Sequence, residues 1–161
     1  DNELSWVDWN LSPRQRGLLE FTRRVSALRA ASPVLQRRNF FLGATLDDSR
    51  FRDLVWFHPA GRELDHDDWR NAELRCFGLF LGGDAITARD DRGRKLTGDT
   101  LLIYLNAGPA PVPVVLPAPS WGGAWELLLE TASELPRALT CAAGEHLQIP
   151  ERSTVVLRLR H

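Results

Sequence analysis

The hydrophobic period of this sequence changes once, near Phe40, and that single change narrows the folds open to it. Ahead of it, Leu18, Phe21, Val25 and Leu28 recur at 3-4-3 spacing, which places one apolar stripe along a helix. Ser12-Pro13-Arg14-Gln15 is a capping box with proline at the first helical position: the Ser12 hydroxyl accepts from a free amide while Gln15 reaches back. Ser32-Pro33 ends the helix, because the residue before a proline disfavours α geometry. The spacing therefore predicts a helix over 13–31, about five turns.

Beyond Phe40 the helical period gives way to short apolar runs separated by turn residues. Residues 54–57, 76–81, 101–105, 112–116, 125–129 and 154–159 read as strands. The last of these strictly alternates at its end, as a strand with one wet face does. Pro59-Ala60-Gly61, Gly82-Gly83-Asp84, Asp90-Asp91-Arg92-Gly93 and Gly122-Gly123 supply turns or hairpin tips. The proline-rich 109–119 stretch interleaves Val112, Val114, Val115 and Leu116, which suits an edge strand where a missing amide donor does little harm. Residues 65–73 suggest one short helical excursion, with Asp65 as cap and Trp69 inside. Six or more strands with no intervening helical repeats and no internal repeat predict a mainly β fold, an antiparallel β-sandwich preceded by one long amphipathic helix.

Composition removes several functional classes. With 161 residues, 43% apolar, 25% charged and a net charge of −1, the chain is an ordinary globular one. No apolar run approaches the roughly 20 residues that cross a bilayer, and no charged-then-apolar leader opens the sequence, so no membrane partner is expected. The charge balance likewise argues against a nucleic-acid partner. There is no Met, even at position 1, and the expectation is a fragment of a longer protein. Residues 12–38 carry Arg14, Arg16, Arg23, Arg24, Arg29, Arg37 and Arg38 against one acid, Glu20; a solvated face with partners on a neighbouring domain is favoured over anion or nucleic-acid binding. Cys76 and Cys141 follow no metal or redox spacing and are expected to be buried and reduced, which fits the cytoplasm.

The search for chemistry is short. His58, His66, His146 and His161 are scattered, with no nucleophile elbow and no helical His pair. Asp65-His66-Asp67-Asp68 lacks the glycine and distal Glu of a calcium loop, and capping accounts for its acids. Gly82-Gly83 precedes Asp84, which repels an anion. Neither metal nor cofactor is expected. Among the six tryptophans, Trp56 and Trp125 fall in strand patterns and read as core; Trp6, Trp9, Trp69 and Trp121 lie in turn or helix-start contexts and are the candidates for a flat saccharide platform, with ordinary packing as the rival reading.

The opening stretch Asp1-Asn2-Glu3-Leu4-Ser5-Trp6-Val7-Asp8-Trp9 resembles the segment after the eighth barrel strand of bacterial glycogen debranching enzymes of the isoamylase type, in the α-amylase superfamily. The helix ending in Leu28-Arg29 and Ser32-Pro33-Val34-Leu35 is similar to that family's last barrel helix. Val55-Trp56-Phe57-His58-Pro59-Ala60-Gly61-Arg62-Glu63 with Asp68-Trp69 resembles its linker into the C-terminal domain, and the strand ending Asn106-Ala107 resembles a sandwich strand there. The resemblance implies residues 1–42 as the end of a (β/α)8 barrel and 43–161 as the C-terminal sandwich. It also implies hydrolysis of α-1,6 branch linkages in glycogen or limit dextrin by the retaining two-carboxylate route. No position here matches the family's catalytic motifs, so no catalytic residue is assigned and the chain alone is expected to be inactive.

Active-site loops of such barrels follow the strands, so Asp1, Asn2, Glu3 and Trp6 become candidates for outer glucan subsites, with loop packing as the equal alternative. Trp69 and Trp121 join them as candidate substrate contacts. The expected partners are α-glucan, the missing barrel and, through Leu18, Phe21, Val25 and Leu28, a second copy of the chain. A stand-alone carbohydrate-binding or structural sandwich is the alternative reading.

Overall fold

Ser12 caps helix α1 (Pro13–Ala31) as the local sequence dictates: its Oγ accepts from the Gln15 amide at 3.3 Å while Gln15 Oε1 accepts from the Ser12 amide at 2.8 Å. At the other end Gln36 Nε2 donates to the carbonyls of Arg29 and Ala30, satisfying acceptors that the helix leaves open. The structure, a computed structural model, describes residues 2–6, 8–46, 48–132 and 138–160. Within it no α1 residue is buried; Leu18 is 64% exposed and Val25 37%. Among the described residues the predicted apolar stripe is only partly covered, with Phe21 and Leu28 half-buried. The helix runs directly into a 3-10 turn, Pro33–Gln36, whose Val34 is fully buried.

Eight strands follow among the described residues: β1 (Leu54–Phe57), β2 (Cys76–Leu81), β3 (Leu101–Asn106), β4 (Val112–Val115), β5 (Ala124–Glu130), β6 (Thr140–Ala142), β7 (His146–Ile149) and β8 (Ser153–Arg160). Six of them form one antiparallel sheet in the order β1-β2-β3-β8-β5-β6, and β4 pairs with β7 as a separate ribbon. Alternation along the strands assigns each side chain a face. Phe57, Phe80, Leu102, Tyr104, Trp125 and Leu157 face the ribbon's Val114, Leu147 and Ile149 and form the main core. Leu54, Leu79, Leu81, Leu101 and Ile103 point to the opposite, outer face, where Val34 and Ile86 cover part of them. The same alternation puts Leu127 on the main core and Leu128 on the outer cluster, and a bulge between Leu127 and Leu129 shifts the register of β5 against β8 beyond them. The two-layer antiparallel arrangement is the predicted sandwich.

Four readings are corrected. Strands β6 and β7 were not expected: at three and four residues, with every second position exposed, they carry too little apolar signal. The 65–73 excursion shrinks to a 3-10 turn, Asp68–Arg70, because Asp65 spends its carboxylate on the amides of Asp67 and Asp68 and the chain then turns away. Trp69 on that turn is 56% exposed rather than inside. Trp56 is half-buried rather than core, since it faces outward from the edge strand β1.

The connection from helix to sandwich is tied by one buried carboxylate. Asp53 Oδ2 accepts from the Leu42 amide at 2.9 Å, Oδ1 accepts from the Ala44 amide at 3.3 Å, and Arg37 Nη1 lies 3.1 Å from Oδ2. The Arg37 guanidinium also stacks over Phe41, 4.3 Å from its ring centre.

Candidate functional site

The polar residues of the segment joining β1 to β2 are occupied largely with one another. A tight hairpin closes over Pro59-Ala60-Gly61: the His58 amide donates to Arg62 O at 2.8 Å and the Gly61 amide to His58 O at 2.9 Å. Gly61 has φ of +80°, and a Cβ there would lie 3.0 Å from Val115 O, so both conformation and space demand glycine. Arg62 then reaches forward with both Nη atoms to the Asp68 carboxylate, which also accepts from the Asp65 amide at 2.9 Å. The Arg62 guanidinium, with that amide, holds the Asp68 carboxyl well below the usual carboxylate range, and Arg62 is raised in return. His58 Nε2 lies 4.0 Å from the same carboxylate. This knot fixes Trp69, whose ring meets Trp56 edge-on at 5.4 Å, and Trp56 in turn meets Phe77 at 5.6 Å. The motif residues thus latch a loop and present an aromatic trio. A fully hydrogen-bonded, ion-paired carboxylate at this depressed range is a poor proton donor.

The other candidates are dispersed. Asn2, Glu3 and Trp6 share an exposed N-terminal turn in which Asn2 Oδ1 accepts from the Leu4 amide and Asn2 O from the Ser5 amide. Trp6 is 64% exposed; Asp1 lies outside the described residues. Trp121 stands on the core side of the sheet: Phe57 and Phe80 meet its ring at 5.3 and 5.1 Å, Phe51 stacks on it, and the Arg52 guanidinium lies over it. Its ring is engaged on several sides. Trp69 and Trp121 therefore belong to opposite faces, and the structure brings neither to the Asn2 turn. Sequence reasoning passed over Asp53 and Arg37, whose pairing spans 16 positions and leaves no local spacing to read.

Among the described residues no group of three His, Cys, Asp or Glu side chains converges to hold a metal ion. Cys76 is buried and desolvation pushes its thiol up to about 11, away from nucleophile chemistry. A shallow cleft of about 430 Å³ beside Cys76 is lined by Glu73, Arg75, Asn106 and Pro109 among others. Asn106 is already spent there: Nδ2 donates to the carbonyls of Ala110, Ile149 and Pro150, and Oδ1 accepts from the Gly108 amide.

What fold and side chains define together is an accessory β domain: two antiparallel layers, a latched edge loop, and no assembled catalytic set among the described residues. The chain belongs to the isoamylase C-terminal family, whose pattern matches residues 53–157. It is 38% identical over 160 residues to a Mycobacterium tuberculosis protein described as a glycogen operon protein GlgX homolog, covering 98% of this chain and 22% of that protein. An isoamylase of Flavobacterium sp is 26% identical over 149 residues, covering 91% of this chain and 18% of its own length, and a glycogen debranching enzyme of Escherichia fergusonii is 29% identical over 121 residues, covering 75% and 15%. The chain therefore spans about a fifth of the curated relatives it matches. Among solved structures, a pullulanase from Anoxybacillus sp. LM18-11 complexed with maltotetraose aligns with 98% of this chain and 17% of its own at a TM-score of 0.56 and 13% identity, a likeness of fold.

Proposed function

We propose that this chain is the C-terminal part of a debranching hydrolase that cleaves α-1,6 linkages in glycogen or limit dextrin, and that its own task is to scaffold a catalytic barrel elsewhere in the polypeptide. The observation that carries this reading is the match to the glycogen operon protein homolog, which runs through α1 as well as the sandwich while covering only 22% of that relative. Residues 1–42 then form the end of the barrel and 43–161 the sandwich. Asp1, Asn2, Glu3 and Trp6 face the outer glucan subsites, α1 packs its stripe on neighbouring barrel helices, and the enzyme works in the cytoplasm. Retaining hydrolysis requires two carboxylates about 5–5.5 Å apart, one attacking the anomeric carbon and one protonating the leaving oxygen. The buried or ion-paired acids described above supply neither. The test is reducing-end release from glycogen limit dextrin: none from the 161-residue chain, robust release from the longer polypeptide. Debranching by this chain alone overturns the proposal.

One observation favours a second reading, a glucan-binding module: the half-exposed ring of Trp69 beside Trp56. Titrating a maltooligosaccharide against the tryptophan fluorescence of the chain decides it. A saturable shift at millimolar ligand that vanishes in Trp69→Ala supports the module; a silent titration removes it.

A further inference from the structure

Two clefts open side by side at one end of the sandwich. The first, about 430 Å³, is lined by Pro59, Leu74, Pro109 and Ala110, with the exposed Glu73 and Arg75 at its rim. The second, about 370 Å³, is lined by Leu105, Ala107 and Thr154, with the exposed Arg152 at its rim. Asn106 is buried in the wall they share, and its bonds to Ala110, Ile149, Pro150 and Gly108 tie the loop after β3 to the turn between β7 and β8. The Ala107 amide donates to Arg75 O at 2.8 Å and the Arg152 amide to Gly108 O at 3.1 Å, so both rims are fastened to that same loop. Each cleft falls within the range of about 300–1,000 Å³ that small-molecule sites occupy, and walls cross-linked in advance lose little freedom when a ligand enters. Register fixes which end this is. Cys76 stands opposite Asn106 and Asn106 opposite Ser153, whereas Leu81 and Leu101, under Val34 of the turn that follows α1, mark the other end, about 17 Å away along a six-residue strand.

We propose that the paired clefts on either side of Asn106 are an accessory binding site for α-glucan, holding one outer chain of the polymer while another is cleaved. The inference rests on the debranching-enzyme reading and adds a second place where substrate is held. Pro59, Leu74, Pro109 and Ala110 give the first cleft an apolar floor on which the C–H face of a pyranose ring makes its dispersion contacts. Arg75 and Arg152 supply planar forks of N–H donors, and Glu73 supplies acceptors, for the hydroxyls along the edge of that ring. Charge selects the class of ligand. Arg75 lies 3.5 Å from Glu73, and Arg152 follows Glu151 in the chain, so the rim carries no net charge and suits a neutral, hydroxyl-rich molecule better than an anion. Position selects a polymer: the end remote from α1 is reached by a branched glucan engaged elsewhere on the polypeptide, and not by a short oligosaccharide bound at a single site.

Kinetics and glycogen co-sedimentation of the longer polypeptide test the site in two independent variants. Arg75→Ala with Arg152→Asn removes the donor forks, asparagine being chosen because Arg152 has φ of +47°. Ala110→Gln instead fills the first cleft from an exposed position whose carbonyl bond to Asn106 is kept. Both are expected to raise KM for glycogen at least about threefold and to weaken co-sedimentation to match, as loss of one of two linked contacts does, while KM for a small branched maltooligosaccharide stays where it is. Maltoheptaose is expected to compete with glycogen in co-sedimentation of the wild type and to compete less in the variants. Unchanged KM and co-sedimentation in variants that debranch overturn this inference and leave the function standing. An equal rise in KM for both substrates marks a structural role and also overturns it, as does competition by inorganic phosphate in place of maltoheptaose. Weakened co-sedimentation of the variants, in a polypeptide whose wild type binds glycogen without cleaving it, supports the site and removes the function.

Discussion

Asp53 shows how much a single side chain can hold without leaving a mark on the sequence. Fully buried, it anchors two backbone amides and one guanidinium, and Arg37 opposite it is only 4% exposed. Removing one member strands the other in a low-dielectric site, so Asp53→Ala is expected to cost about 3–5 kcal/mol, read as a shift of the urea unfolding midpoint. Cys76 offers a second check. With its thiol raised to about 11, it is expected to resist iodoacetamide at pH 8 in the folded chain and to react on unfolding, followed by mass spectrometry of its peptide. Gly83 is the sterically strictest turn residue: a Cβ there would approach the backbone oxygen of Gly98 to 2.1 Å and that of Asp99 to 2.5 Å. At this scale the sequence disclosed residues whose partners are near, such as Ser12 with Gln15. It hid Asp53 and the aromatic cage of Trp121, whose partners arrive from distant strands.

Among the elements, α1 is the most legible and the least supported. Its cap, proline start and stop lie within a few residues of one another, so the bounds follow from local chemistry alone. Yet without tertiary burial its stability is that of a lone helix. Ser12→Ala is expected to cost about 1 kcal/mol of helix stability, seen as lost ellipticity at 222 nm with little movement of the sandwich's unfolding transition. The amides of α1 are expected to exchange much faster than those of β3 and β8, measured by hydrogen exchange. The strands divide by length: six declared themselves through runs of Val, Leu, Ile and aromatic residues, whereas β6 and β7 gain their structure from the neighbours they pair with.

For the whole molecule, the titratable groups bound the range of stability on both sides. Asp68, Asp90 and Glu126 are held below their ordinary values, chiefly by hydrogen bonds from Arg62, from the Arg94 backbone and from the Arg158 side chain respectively. Their stabilisation is complete above the unfolded carboxylate value near 4 and is lost as pH falls further. Cys76 and Tyr104 are raised by burial, so they stabilise the fold below their unfolded values; the Cys76 contribution is lost as pH rises past about 9 toward about 11, and that of Tyr104 begins to fall only above about 10. The thermal midpoint is therefore expected to be flat between about pH 5 and 8 and to decline at both ends; a maximum near pH 4 contradicts these pairings.

The sequence by itself determined the helix, six strands, the sandwich class and, through short motifs, the family, because each rests on periodicity or on residues adjacent in the chain. Tertiary structure alone decided that the Arg62, Asp65 and Asp68 charges latch a loop, that Trp69 and Trp121 stand on opposite faces, and that the outer face is left half-covered. Those facts depend on which strands become neighbours, and strand order is set by the packing of both sheet faces at once.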